Sequence, residues 1–324
     1  MRRRRFLVAA CALLAAGPGA AQKPQQSRIA WLSNDRPGNS PFYDAFRHGM
    51  RDLGYAEGRN LAIDARWGEG EGEERLGRLA AELIGLKPQV IVTHGGPATF
   101  PVHRTGTTIP VVMGFSGDPV EAKLAASYAH PGGNFTGMTF LSLELAGKRM
   151  ELLKVVLPAL ERVAILANPE HPGQQGELRA SRVAAKDLGL AIDYFQVRTA
   201  GELDAALAAA LKQRSGAILQ FPDAFMLRYR DRIAQFSIEN RIPAISGWGQ
   251  FADSGNLMTY GPNLHAAFTR LATFVDKILR GANPAGLPIE LPVSVELVVN
   301  LKTARSLGLS IPQAVLARAH RTIE

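Results

Sequence analysis

The chain has 324 residues, 46% of them hydrophobic and 20% charged, a composition that fits globular domains and excludes a disordered or fibrous protein. Its net charge is +8, but four arginines sit at positions 2 to 5, so the rest carries about +4, spread along the chain. No run of five or more basic residues occurs beyond them, which argues against a nucleic-acid partner.

Residues 1–21 read MRRRRFLVAACALLAAGPGAA. A basic start at Arg2–Arg5, an apolar stretch over Phe6–Ala16 and small residues before a cleavage point after Ala21 make a secretory signal peptide, too short to span a bilayer. RRRFL fits both the Sec and the twin-arginine export routes. Cys11 is the only cysteine. A lipobox there is set aside because the apolar run continues past it. The mature chain then has no thiol for a disulfide, a nucleophile or a metal. An exported chain without disulfides suits the periplasm.

From residue 28 onward, strands and helices alternate. RIAWLS (28–33) is a buried strand, PFYDAFRHGMRDLGY (41–55) a helix with apolar residues at helical spacing, and NLAIDARW (60–67) a strand. Helix 73–86, strand 89–94, a short helix from 96 and strand 109–115 follow. DPVEAKLAASYA (118–129) reads as a helix with Asp118 as N-cap and proline behind it. The pattern then restarts: strand 162–168, helix 176–190, strand 191–197, helix 200–214, strand 216–221, one helix over 224–240, and strand 242–248. Helix 262–281, a strand-like run at 290–300 and helix 301–309 remain.

The restart is a repetition. RIA at 28 matches RVA at 162, DLGY at 52 matches DLGL at 187, IPVVMGF at 109 matches IPAISGW at 242, and GNFTGMTF at 133 matches GNLMTYG at 255. Landmarks at nearly constant offset predict two copies of one βαβαβαβ unit, hence an α/β fold of two lobes with parallel sheets covered by helices. The elements left over after the second copy let the chain return to the first lobe and cross back, with crossovers near 138–142, 260–264 and 290–297 acting as a hinge.

Ligands in such sheets bind beyond the carboxyl ends of the strands. That rule, with the aromatic residues near those ends, selects Ser33, Asn34, Phe42, Tyr43, Thr93, His94, Gly95, Phe115 and Asp118 in the first lobe and Asn168, Asp223, Trp248 and Tyr260 in the second. Asp223 is the candidate partner for an ammonium group, and the aromatic side chains could stack on a flat ligand. Asp118 and each aromatic also have a plain structural reading, as a cap or as core. No phosphate-binding glycine loop and no metal-ligand spacing occurs. GFSGD (114–118) departs from the nucleophile elbow at Asp118. Catalytic residues, cofactors and metals are therefore all expected to be absent.

AFRHGMRDLGYAEGRNLAIDARWGEG, GDPVEAKLAASYAHPGGNFTGMTF and SLELAGKRMELLKVVLPALERVAILANP resemble the ABC transporter substrate-binding family that includes tryptophan- and tyrosine-type uptake receptors. The resemblance runs from about Arg28 to the C-terminus. After the third strand the family usually carries Thr-Pro-Ala; this chain reads HGGPAT. The resemblance implies a type I periplasmic binding protein: two Rossmann-like lobes, a three-crossover hinge and a ligand enclosed between the lobes. It implies an N-terminal lobe of 28–139 plus 263–290 and a C-terminal lobe of 140–262 plus 291–324. It implies a periplasmic monomer that captures a small molecule, an aromatic or other amino acid, and delivers it to an inner-membrane ABC permease. Two other readings stay open: a ligand sensor of the same fold that signals to a membrane receptor, and a cleft hydrolase or isomerase.

Overall fold

The structure is a computed structural model that describes residues 26–38, 40–140, 143–292 and 294–324. The expected signal peptide and part of the first crossover lie outside the described residues.

The first half runs β1 (Ser27–Ser33), α1 (Pro41–Asp52), β2 (Leu61–Trp67), α2 (Glu73–Gly85), β3 (Val90–His94), α3 (Gly95–Arg104), β4 (Val111–Phe115) and β5 (Phe135–Thr139). The second runs α4 (Leu143–Val156), β6 (Arg162–Ala167), α5 (Gln174–Asp187), β7 (Ala191–Gln196), α6 (Ala200–Lys212), β8 (Ala217–Gln220), α7 (Ala224–Arg228), α8 (Arg230–Glu239), β9 (Ala244–Ser246), α9 (Gly249–Asp253) and β10 (Met258–Pro262). Then come α10 (Leu264–Leu279), β11 (Val295–Asn300), α11 (Leu301–Leu307), α12 (Gln313–Leu316) and β12 (Arg321–Ile323).

Among the described residues these strands form two sheets. The first has the order β2-β1-β3-β4-β5, all parallel. The second contains β7-β6-β8-β9-β10, the same order strand for strand, also parallel. The textual repeat is thus a structural one. The second sheet is extended by β11, antiparallel to β10, and by β12.

Burial explains the continuous apolar strands. Ile29 and Trp31 face one core layer, Ala30 and Leu32 another, and all are fully buried. A parallel sheet with helices on both faces demands this pattern. In the first lobe one layer lies under α1 and α10. In the second lobe the matching layer lies under α4 and α5, with Met150, Leu153 and Leu178 against Val163 and Ile165.

The chain exchanges helices between lobes. After β5 it crosses over, and α4 packs on α5; after β10 it crosses back, and α10 packs on α1. Gly49 makes the second contact possible, because a Cβ there would lie 2.3 Å from the Thr269 carbonyl oxygen. The connecting segments also bind one another. Thr139 N–H donates to Glu290 O at 3.0 Å, Glu290 N–H to Gly137 O at 2.9 Å, and Asn263 N–H to Ser294 O at 3.3 Å.

Two expected helices are corrected. Residues 118–129 make one capped turn, not a helix. Asp118 Oδ1 does accept the Val120 and Glu121 N–H groups. The chain then enters a left-handed conformation at Lys123 (φ 57°), and buried Leu124 joins the core beside Phe135. The 224–240 helix is two, α7 and α8, broken at Tyr229 (φ −99°, ψ 12°), whose N–H bonds to the Met226 carbonyl at 3.1 Å, three residues back rather than four. The short elements α9, α12 and β12, and the long helix α4, were not assigned from periodicity.

Candidate functional site

A cleft of about 1260 Å³ lies between the carboxyl ends of the two sheets. Its first wall is built by the loop after β1, the first turn of α1, and the start of α3. Its second wall comes from the loops after β6, β8 and β9. This is where open parallel sheets place their ligands.

Seven of the sequence candidates line it: Asn34, Phe42, His94, Gly95, Asn168, Asp223 and Trp248. Six stand behind its walls. Ser33 and Thr93 are fully buried, and Thr93 bonds Thr99 at 2.8 Å. Tyr43 packs between Trp31 and Trp67, with its hydroxyl pushed up to about 12 by burial. Phe115 packs edge-on against Phe100. Tyr260 joins the core of the second lobe, and Asp118 caps its turn.

The first wall is organised by His94. Its Nδ1 lies 3.1 Å from Ser33 Oγ and 3.0 Å from Asp35 Oδ2, and Ser40 Oγ donates to Asp35 at 2.7 Å. Burial by itself would raise the Asp35 carboxyl. The His94 charge and the hydrogen bonds from His94, Ser40 and Ser33 outweigh it and hold the group at about 2. The imidazole is wedged edge-on to Phe42 and Phe268, both at 4.9 Å. Serine, histidine and aspartate meet here, but serine and aspartate share one ring nitrogen. A catalytic triad needs them on opposite nitrogens. The cluster shapes a wall and does not activate a nucleophile.

Asp223 dominates the second wall. Its Oδ1 accepts the Met226 N–H at 2.7 Å, capping α7, and its Oδ2 accepts Asn168 Nδ2 at 2.7 Å. Burial nonetheless pushes its carboxyl up to about 6, with repulsion from Glu170 adding to the rise. Beneath lies a buried ion pair. Arg149 Nη1 donates to Glu177 Oε1 at 2.9 Å, and Arg149 Nε to the Tyr260 carbonyl at 2.9 Å. Burial raises Glu177 to about 6 even beside this arginine.

His171 also lines the cleft, 3.9 Å from Glu177 Oε2. Burial lowers its ring to about 4, and the Ser116 backbone beside it offsets only part of that fall. A histidine with a depressed folded-state value destabilises the fold as pH falls below its unfolded value near 6.5. The wild-type protein is therefore expected to lose, relative to His171→Asn, about 2 kcal/mol between pH 7 and pH 5. Urea midpoints of both proteins at the two pH values check this; parallel pH dependences would contradict it. The comparison cancels Glu177 and Asp223, whose raised values act in the opposite direction.

Sequence reasoning did not single out Arg36, His171, Pro172, Phe225, Arg228 or Gln250, all of which line the cleft. His171 and Pro172 follow Asn168 in the loop after β6. Arg36 lies in the loop after β1, and Arg228 ends the short helix α7. Among the described residues no group of three His, Cys, Asp or Glu side chains could hold a metal ion, and no helix is long and apolar enough to cross a membrane.

Two duplicated α/β lobes that share hinge segments and enclose a cleft define a type I periplasmic binding protein. The family model for ABC transporter substrate-binding proteins matches residues 34–323, and the chain belongs to that family. It is a periplasmic substrate-binding component of an ABC importer, a non-catalytic role that implies a small-molecule ligand and a permease. A relative named tyrosine-binding protein, from Clostridioides difficile strain R20291, is 22% identical over 266 residues, 82% of this chain and 75% of the relative. The ABC domain in complex with L-Trp from Streptococcus pneumonia superposes with a TM-score of 0.85 at 22% identity, covering 92% of this chain and 100% of that one. The ligand-free, open structure of a Clostridium difficile substrate-binding protein with adhesive properties covers the same shares at 19% identity, with a TM-score of 0.67.

Proposed function

We propose that the interlobe cleft takes a zwitterionic amino acid, with an aromatic side chain favoured, and that the monomeric protein hands it to the permease. The carrying observation is the cleft's pairing of a buried carboxylate, Asp223, with guanidinium groups and aromatic rings on opposing walls. Arg36 of the first lobe and Arg228 of the second both face this space. Phe42 and Trp248 offer apolar surface to a ring. A zwitterion presents one charge to each kind of group, and burial of Asp223 makes its match with an ammonium stronger than in water. The names of the tyrosine-binding and L-Trp-bound relatives favour the same class.

In this reading the lobes are residues 28–139 with 263–290, and 140–262 with 291–324. The hydrogen-bonded connecting segments bend as the lobes close on ligand. The contacts come from Asn34, Phe42, His94, Gly95, Asn168, Asp223 and Trp248. Ser33, Tyr43, Thr93, Phe115, Asp118 and Tyr260 support them from behind. The lower similarity to the open, ligand-free structure accords with such a rotation, because moving one lobe on the other lowers global overlap while leaving each lobe intact.

Asp223→Asn tests the ligand class. The amide keeps an oxygen to cap α7 but removes the charge. Binding of L-tyrosine and L-tryptophan, measured by titration calorimetry, is expected to weaken by at least tenfold, the ordinary worth of a charge-assisted hydrogen bond. Binding of the deaminated analogues should change little. Equal losses for both kinds of compound would remove Asp223 from the ammonium site.

A further inference from the structure

The two lobes touch directly at the edge of the cleft. Pro172, in the loop after β6, seats its ring on two glycines of the opposite lobe. A Cβ on Gly117 would lie 2.6 Å from Pro172 Cβ and Cγ, and a Cβ on Gly96 would lie 3.5 Å from Pro172 Cδ and Cγ. Any larger residue at 117 would hold the ring off. The seat is rigid. The Gly117 carbonyl accepts Thr139 Oγ1 at 2.6 Å, and Thr139 belongs to the strand that leads into the first crossover. Neighbouring His171 is buried with its ring beside Glu177, so the loop that carries Pro172 is itself held down.

Two other contacts bridge the lobes and are softer. The Arg228 guanidinium lies over Gly70, where a Cβ would come within 2.0 Å of it, but the far end of an arginine moves cheaply. Glu121 and Arg179 stand 4.0 Å apart and are both well exposed, a pairing of little net worth.

We propose that Pro172 on the Gly96–Gly117 seat is a latch that sets the balance between open and closed lobes, and so tunes ligand affinity. It rests on the closing-cleft reading above. The physical basis is population shift: apparent affinity scales with the fraction of molecules in the binding-competent state. The contact is made only when the lobes are together, so its energy counts wholly toward closure.

The test is a double-mutant cycle of Gly117→Ala and Pro172→Gly. The cycle is needed because a Cβ at 117 would also meet the Phe115 ring at 2.9 Å, inside its own lobe. Coupling between 117 and 172 isolates the interlobe part. Spin labels on Glu74→Cys and Val183→Cys, exposed positions in opposite lobes, report the distance between lobes with and without L-tyrosine. Gly117→Ala is expected to deplete the short-distance population and raise the dissociation constant for L-tyrosine about tenfold or more. Pro172→Gly alone, which cannot clash, should weaken binding a few-fold. In the double variant most of the Gly117→Ala loss should return.

A Gly117→Ala distance distribution identical to the parent's, or a double variant whose losses simply add, overturns the latch. If L-tyrosine does not bind the parent, the amino-acid reading fails. The latch is then judged on the distributions without ligand, where the parent must show a short-distance population that both single variants reduce. A parent with none overturns it as well.

Discussion

Phe268→Ala is expected to lower the unfolding free energy by about 3–5 kcal/mol, the range for emptying a large buried aromatic site. Phe268 is fully buried and is the hub of the first lobe's aromatic layer. Its ring stacks on Phe42 at 5.0 Å, meets His94 at 4.9 Å, and lies 5.4 Å from Phe140 and 6.1 Å from Trp31. Each aromatic pair adds to simple area burial. Yet Phe268 sits on α10, which follows the second lobe's five parallel strands in sequence. The substitution therefore asks whether the returning helix completes the first lobe. Chemical denaturation of the variant measures the loss. A cost under about 1 kcal/mol would mean that α10 is not an integral part of that core. The same variant should weaken ligand binding, because Phe42 and His94 reach the cleft from this layer.

Arg149→Met is the second large expected effect. It strips the partner from Glu177 in a site where both side chains are almost fully buried. Removing one member of a buried pair typically costs 3–5 kcal/mol, whereas replacing both by apolar residues is near neutral. Arg149→Met is thus expected to destabilise by about that amount at pH 7, and Arg149→Met with Glu177→Leu by far less. The pH dependence has a definite sign. Burial already raises the folded-state value of Glu177 to about 6, and loss of the arginine raises it further. A carboxyl with a raised folded value penalises folding when its unfolded form is ionised. The penalty of the single variant should therefore shrink as pH falls toward 4.5. A penalty that grows on acidification, or a double variant as unstable as the single, would contradict the account.

Much of the architecture was legible in the sequence because parallel strands covered on both faces must be apolar throughout. IAWL, VIV and VAIL announce themselves in this way, and their repetition announced the two lobes. The identical strand order in both sheets follows from that duplication. The failures were local. At 118–129 the helical spacing was real for one turn, but left-handed Lys123 and the pull of Leu124 into the core ended it, a tertiary outcome that periodicity does not contain. At Tyr229 no proline or glycine marked the break between α7 and α8.

The site was half legible for a geometric reason. The strand-end rule finds the right loops but not the direction of each side chain. Thr93 and Phe115 point into core, while His94, the last residue of β3, and Asn34, one step past β1, reach the cleft. Tyr43 follows Phe42 on α1, and one helical step turns it away toward Trp67. Arg36 and Arg228 carry no periodic signal. Pro172 meets Gly117 only because two lobes distant in sequence come together.

The central claim is that the cleft captures a small molecule and leaves it chemically unchanged. The most direct test is to purify the mature protein under native conditions, denature it, and identify any released compound by mass spectrometry. The compound is then returned to ligand-free protein for a thermal-shift measurement. The expected result is one amino acid per chain, recovered intact after incubation, that stabilises the protein by about 2.7 kcal/mol at 100 times its dissociation constant. A compound that comes back chemically altered, or one that binds without protecting the fold, would contradict the account.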